Sequence, residues 1–132
     1  MDVYIISDNT VMEVEQNLEQ KLVEICKKFK LKEKAFEILE KIISDGLKND
    51  ERFLNGYNRA EVSLVFDEYS YTIQKKYLES TIDTRIGLYI FNDIFLDNLE
   101  PIGYYVLEAS FSGELVDDVF ILEKEKLIDD VK

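Results

Sequence analysis

Apolar residues along this chain recur first with a helical period and then with a strand period, and the change falls near residue 60. Val11, Val14, Leu18, Leu22, Ile25 and Phe29 recur at three- and four-residue steps, with most intervening positions taken by Glu, Gln and Lys. That spacing predicts an amphipathic helix ending near Lys30. Thr10-Val-Met-Glu13 has the form of a capping box, so the helix is expected to start there. Upstream, Asp2 to Ser7 reads as a short strand or as an apolar lead-in packed on the helix after it.

A second periodic run sets Ala35, Ile38 or Leu39, Ile42 and Ile43 on one face and Glu37, Glu40 and Lys41 on the other, and Gly46 offers a C-cap. The two helices are expected to pack as an antiparallel pair. Leu47 to Arg59 then reads as a polar connection, with a turn of helix around Phe53 and Leu54, that ends at the turn dipeptide Asn55-Gly56.

From Ala60 the period is two. Val62, Leu64 and Phe66 alternate with Glu61, Ser63, Val65 and Asp67, the pattern of a half-buried strand. Tyr69 to Gln74 either pairs back through a turn near Asp67-Glu68 or continues as one long bent strand. Lys75 to Thr84 is ambiguous between a helical turn and a loop. Arg85 to Phe91 is nearly continuously apolar, as befits a central strand. Asn92 to Glu100 turns the chain, and Pro101 suits the start of the next strand, where its missing N–H costs little.

The strongest hairpin signal is Ile102 to Phe111, then Ser112-Gly113, then Glu114 to Leu122. With Ser112 and Gly113 as a two-residue turn, Glu108 faces Asp117, and like charges directly opposite each other destabilise a sheet. Glu123 to Lys132 alternates in charge and is read as a short helix or a fraying tail. Helices first and strands afterwards define an α+β fold: an N-terminal antiparallel helix pair on one face of a four- or five-stranded, mostly antiparallel sheet that ends in a hairpin. At 132 residues one domain is expected, with a helical part over about 10–46, a sheet part over about 60–122 and a tail over 123–132.

Charge sharpens this picture. The net charge is −12, yet residues 1–59 carry a net of only −2 and residues 60–132 a net of −10. Between Lys76 and Lys124 the only cation is Arg85, against ten acids, nine of them from Glu79 to Asp118. A field of that kind repels nucleic acid and anionic membrane and steers cationic partners in. Tyr69, Tyr71, Tyr89, Tyr104 and Tyr105 lie on predicted strands, and eight Tyr with eight Phe exceed what two helices can cover. The second sheet face is therefore expected to be open to water or a partner. The lysines from Lys21 to Lys34 are interleaved with Glu and read as the solvated side of the helices.

Candidate chemistry is narrow. The chain has no histidine and one cysteine, Cys26, which lies at the edge of the helical stripe and is expected to be core filler. Imidazole-dependent catalysis, the usual zinc sites and disulfides are thus excluded, and the five scattered glycines form no phosphate loop. With a single cysteine a reducing cytoplasm is the expected compartment, and the N-terminal stretch lacks a basic n-region and is too short in its apolar part for a signal peptide. No cofactor, metal or catalytic residue is predicted.

The best reading is a small acidic protein that inhibits a basic protein, such as an immunity protein neutralising a toxin or nuclease. Its partner-binding residues would be Glu108, Glu114, Asp117, Asp118, Tyr104, Tyr105, Asp93 and Asp97. A phage-type inhibitor imitating DNA would have the same profile. An enzyme using Glu108 and Asp117 as acid and base, or as ligands for a hard cation, is a third reading. Direct binding of nucleic acid or membrane is not expected, and the chain is read as a monomer or a weak dimer through a sheet edge.

Overall fold

The computed structural model describes residues 8–74 and 79–127. Two helices, α1 (Asp8–Lys28) and α2 (Leu31–Asn49), precede a single 3-10 turn (Arg59–Glu61) and four strands. The strands are β1 (Val62–Gln74), β2 (Glu79–Phe91), β3 (Leu99–Ala109) and β4 (Leu115–Leu122). They pair in chain order, every neighbour antiparallel, so β1 and β4 are the edges. This is the α+β arrangement that the periodicities predict, with four strands among the described residues and the helices on one face. No described helix is long and apolar enough to cross a membrane.

Alternation along the central strands decides what the helices cover. Ile82, Thr84, Ile86 and Leu88 of β2 stand opposite Ala109, Leu107, Tyr105 and Gly103 of β3, and all are buried. Against them lie Ala35, Leu39 and Ile43, set four residues apart on α2. Nearer the turn between the helices, Cys26 and Leu31 pack with Ile82, Ala109 and Tyr69. Cys26 is 1% exposed, and burial pushes its thiol up, as expected of core filler. Lys30, in the left-handed conformation at φ 53°, reverses the chain between α1 and α2.

Several boundaries differ from the expected ones. The chain is already helical at Asp8, ahead of Thr10. Helix α2 runs past Gly46 to Asn49 and is closed by the Asp50 N–H donating to the Gly46 carbonyl at 2.9 Å. Gly46 is therefore not a C-cap: the Phe53 ring lies where its Cβ would be, and that ring stacks on Phe120 of β4 at 5.5 Å. The connection after α2 is less polar than its composition suggests, because Leu54 and Tyr57 enter the core. Asn55 and Gly56 both have positive φ, as their dipeptide predicts, and Asn58 and Glu61 cap the 3-10 turn reciprocally.

β1 is one long bent strand, with the register shifting at Asp67 between Phe66 and Glu68. β2 starts at Glu79, so the second half of the ambiguous Lys75–Thr84 tract is strand; residues 75–78 lie outside the described residues. The reading of Asp2 to Ser7 also falls outside them. Glu123 to Leu127 is not helical but forms a strap along the body, and residues 128–132 of the tail lie outside the described residues. Its Lys124 and Lys126 N–H groups donate to the Ile102 and Asn55 carbonyls, and the Lys126 ammonium meets both Glu61 oxygens at 2.9 Å.

Candidate functional site

The helices leave one sheet face uncovered, and pleating decides which acids stand on it. Asp83, Glu108 and Asp117 are direct partners across β2, β3 and β4. Three carboxylates thus form one row across the sheet, at a strand spacing of roughly 4.8 Å. Burial, then Asp83, then Asp117 hold the Glu108 carboxyl above its ordinary value. Asp83 accepts hydroxyl bonds from Thr81 and Thr72, both at 2.8 Å, which fix its carboxylate in place. Asp117 accepts the Asp118 N–H at 2.8 Å.

Arg85 is two residues along β2 on the same face, but it does not neutralise the row. Its guanidinium lies 4.0 Å from the centre of the Tyr104 ring and 3.6 Å from Asp67. Asp67, pushed out at the β1 bulge, also accepts the Tyr89 hydroxyl at 2.7 Å. Burial first, and that bond second, push the Tyr89 phenol up to about 12. Gly87 lies beneath, where the Tyr89 ring and the Asp67 carboxylate occupy the space of a side chain. The cation of β2 is therefore held within a polar and aromatic cluster, and the neighbouring acidic row keeps its charge.

The predicted site residues divide into three groups. Glu108, Asp117 and Tyr104 share the open face. Asp118 and Tyr105 belong to the opposite face: Tyr105 is wholly buried, and its hydroxyl donates to Asp118 at 2.8 Å. Burial and that bond raise the Tyr105 phenol far above its ordinary value. Neither residue presents itself beside Glu108. Glu114 is exposed in the hairpin turn, where its amide donates to the Ser110 hydroxyl at 3.2 Å.

Asp93 and Asp97 sit in the loop joining β2 to β3, at the far end of β3 from Glu108, roughly 30 Å away along the strand. That loop is ordered by its own bonds, Phe95 N–H to the Asn92 carbonyl and Asn98 N–H to the Phe95 carbonyl. Between the two aspartates it holds Ile94 and Leu96 out into solvent, 83% and 99% exposed.

Asp83, Asp67, Arg85 and Tyr89 are not among the residues predicted from sequence. The available signal was alternation: had β2 been extended backward from Arg85, Asp83 would have fallen on the same face. Among the described residues no group of three or more His, Cys, Asp or Glu is arranged to hold a metal ion. What the row can do chemically is accept positive charge. Comparison of this chain with protein-family models, with curated proteins and with solved structures finds no match.

Proposed function

We propose that this chain is a small acidic binding protein that captures and neutralises a cationic protein, in the manner of an immunity protein set against a toxin such as a nuclease. The observation that carries this reading is the Asp83–Glu108–Asp117 row on the uncovered face, beside an Arg85 already engaged by Asp67 and Tyr104. Carboxylates aligned without counter-charge destabilise the free sheet and gain most from an incoming Lys or Arg. Tyr104 adds an amphipathic ring of the kind favoured at interfaces. A cytoplasmic location fits a chain whose one cysteine is reduced and buried.

The test starts by recovering the partner from the native host with immobilised protein and purifying it. Calorimetric titration of that partner then compares the wild type with Glu108→Gln/Asp117→Asn at low and high salt. The reading expects affinity to fall steeply with salt and to drop in the double variant. Unchanged affinity in the double variant would remove the row from the interface. Displacement of the partner by duplex DNA would recast the protein as a DNA mimic.

A further inference from the structure

Beyond the acidic row the open face turns apolar, and it leads into a loop that is apolar as well. One step from the row, Val106 stands opposite Val119; one step further, Tyr104 stands opposite Ile121. Past the bulge that skips Ile102, the same face continues with Pro101 opposite Tyr89 and Leu99 opposite Phe91. Val119 and Phe91 are 43% and 72% exposed, with both helices on the other side of the sheet. At the loop, Ile94 and Leu96 stand in solvent between the exposed Asp93 and Asp97. The loop holds this shape itself. The Asn92 N–H donates to the Asn98 carbonyl at 2.9 Å, the Asn92 side chain accepts from the Ile94 N–H at 3.2 Å, and Asn98 takes φ 59°. Large apolar side chains held out by a built loop, at the end of an apolar sheet face, mark a contact surface rather than scattered exposure.

Charge indicates what fits this surface. Acids bound the apolar stretch at both ends: Asp83, Glu108 and Asp117 at one, Asp93 and Asp97 at the other, roughly 30 Å away along β3. Arg85 is the one cation among the described residues of this face, and Asp67 and Tyr104 hold it. A second copy stacked face to face would set acid on acid whichever way its strands ran. An anionic membrane or a nucleic acid would be repelled at both ends. A standard protein interface covers about 800 Å² on each partner, a patch about 30 Å across with an apolar centre and a polar rim. The open face has that reach and that layout.

Resting on the reading above that the row binds a cationic protein, we propose that the partner meets the open face along its whole length. Its apolar patch covers Tyr104, Val106, Val119 and Ile121, and it carries Lys or Arg at both ends of that patch, one set on the row and the other on Asp93 and Asp97. Ile94 and Leu96 form the second anchor and are buried in the complex.

Two capped decapeptides of one composition test this, each with four lysines and six residues drawn from Val, Leu and Thr. In one, two lysines stand at each end of the apolar run; in the other, all four stand at one end. Extended, each spans roughly 33 Å. They are titrated into the isotope-labelled full chain at low salt and followed by amide NMR. The first peptide should bind about 10-fold more tightly and shift amides from Glu108 through Tyr104 to Leu96, whereas the second should shift those of one end only. Asp93→Asn with Asp97→Asn should erase that preference, and Ile94→Ser with Leu96→Ser should weaken the first peptide by about 10-fold. These four side chains are exposed, so the circular dichroism should be unchanged. Equal binding of the two peptides with shifts confined to the row would overturn this proposal and leave the row as a site for cations. Binding of neither, with no shift at the row even from the four-lysine end, would overturn both readings.

Discussion

Glu108→Gln is expected to stabilise the free protein at neutral pH, although it touches a residue proposed to act in binding. Glu108 stands between Asp83 and Asp117 as the direct partner of both, and it is half-buried. Each like-charged cross-strand pair costs about 0.2–1 kcal/mol, so removing two of them is worth about 0.5–2 kcal/mol. Relief of the partly buried charge adds in the same direction. For a chain of 132 residues this corresponds to a rise in melting temperature of about 2–8 °C.

The pH dependence makes this prediction sharper. Burial and the two aspartates raise the Glu108 pKa above the ordinary 4.5, so the folded state takes up this proton more readily than the unfolded chain does. The penalty is complete above the folded pKa and fades as pH falls through it toward 4.5. The advantage of glutamine must fade over the same window. Urea unfolding followed by far-ultraviolet circular dichroism suits a chain without tryptophan and can run from about pH 8 to about pH 5, above the isoelectric point of ≈ 4.4. A double-mutant cycle with Asp117→Asn isolates the pairwise repulsion from the burial of Glu108, with a coupling of about 0.2–1 kcal/mol expected. A glutamine variant no more stable than the wild type, or one whose advantage is the same at both ends of that range, would refute the reasoning.

Gly46→Ala improves intrinsic helix propensity by about 1 kcal/mol, yet is expected to destabilise by about 1–3 kcal/mol because its methyl meets the Phe53 ring; urea unfolding decides the sign. Glu100→Gln should unlatch the strap, read as faster hydrogen exchange at the Lys124 and Lys126 amides. Bonds from Lys124 and then Asn92 hold the Glu100 carboxyl below its ordinary value, so its contribution is present above about 4.5 and is lost as pH falls through the folded pKa. Arg85→Gln removes the cation beside the acidic row: a cationic partner should bind it more tightly and with a steeper salt dependence, while the free protein loses about 1 kcal/mol with the Asp67 and Tyr104 contacts, measurable by calorimetry and thermal unfolding.

Periodicity made the element types legible because burial has a direction in each of them. The four-step stripe of Leu31, Ala35, Leu39 and Ile43 and the alternation from Val62 to Phe66 both come from one face meeting the core. What periodicity did not reveal are effects of one element on another. Nothing local to Gly46 says that the Phe53 ring, from beyond the end of the helix, will lie on it, so the residue reads as a cap. Asp118 and Tyr105 look like surface groups until the pleat places them together on the covered side. Asp83 was missed because Lys75 to Thr84 lacks the apolar residues that would mark a strand, and its place on the open face comes from pairing with β1 and β3.

The hairpin shows how a register can hold while the turn that was supposed to set it differs. The turn is not Ser112-Gly113 alone: the Ser110 N–H donates to the Glu114 carbonyl, the Gly113 N–H donates to the Ser110 carbonyl, and Gly113 takes φ 86°. That is a three-residue loop, with glycine where positive φ is required and the Phe29 ring filling the space of a side chain. On its own it would move β4 by one residue and put Asp117 on the covered face. Val116 is then passed over between the Ala109–Leu115 and Glu108–Asp117 pairs, and this bulge restores the register. Bulge and glycine loop together therefore hold Asp117 opposite Glu108, against the repulsion that would favour the slipped alternative. A bulged, acidic edge strand also resists pairing with another sheet. The cationic partner proposed above would then meet the open face rather than the edge of β4.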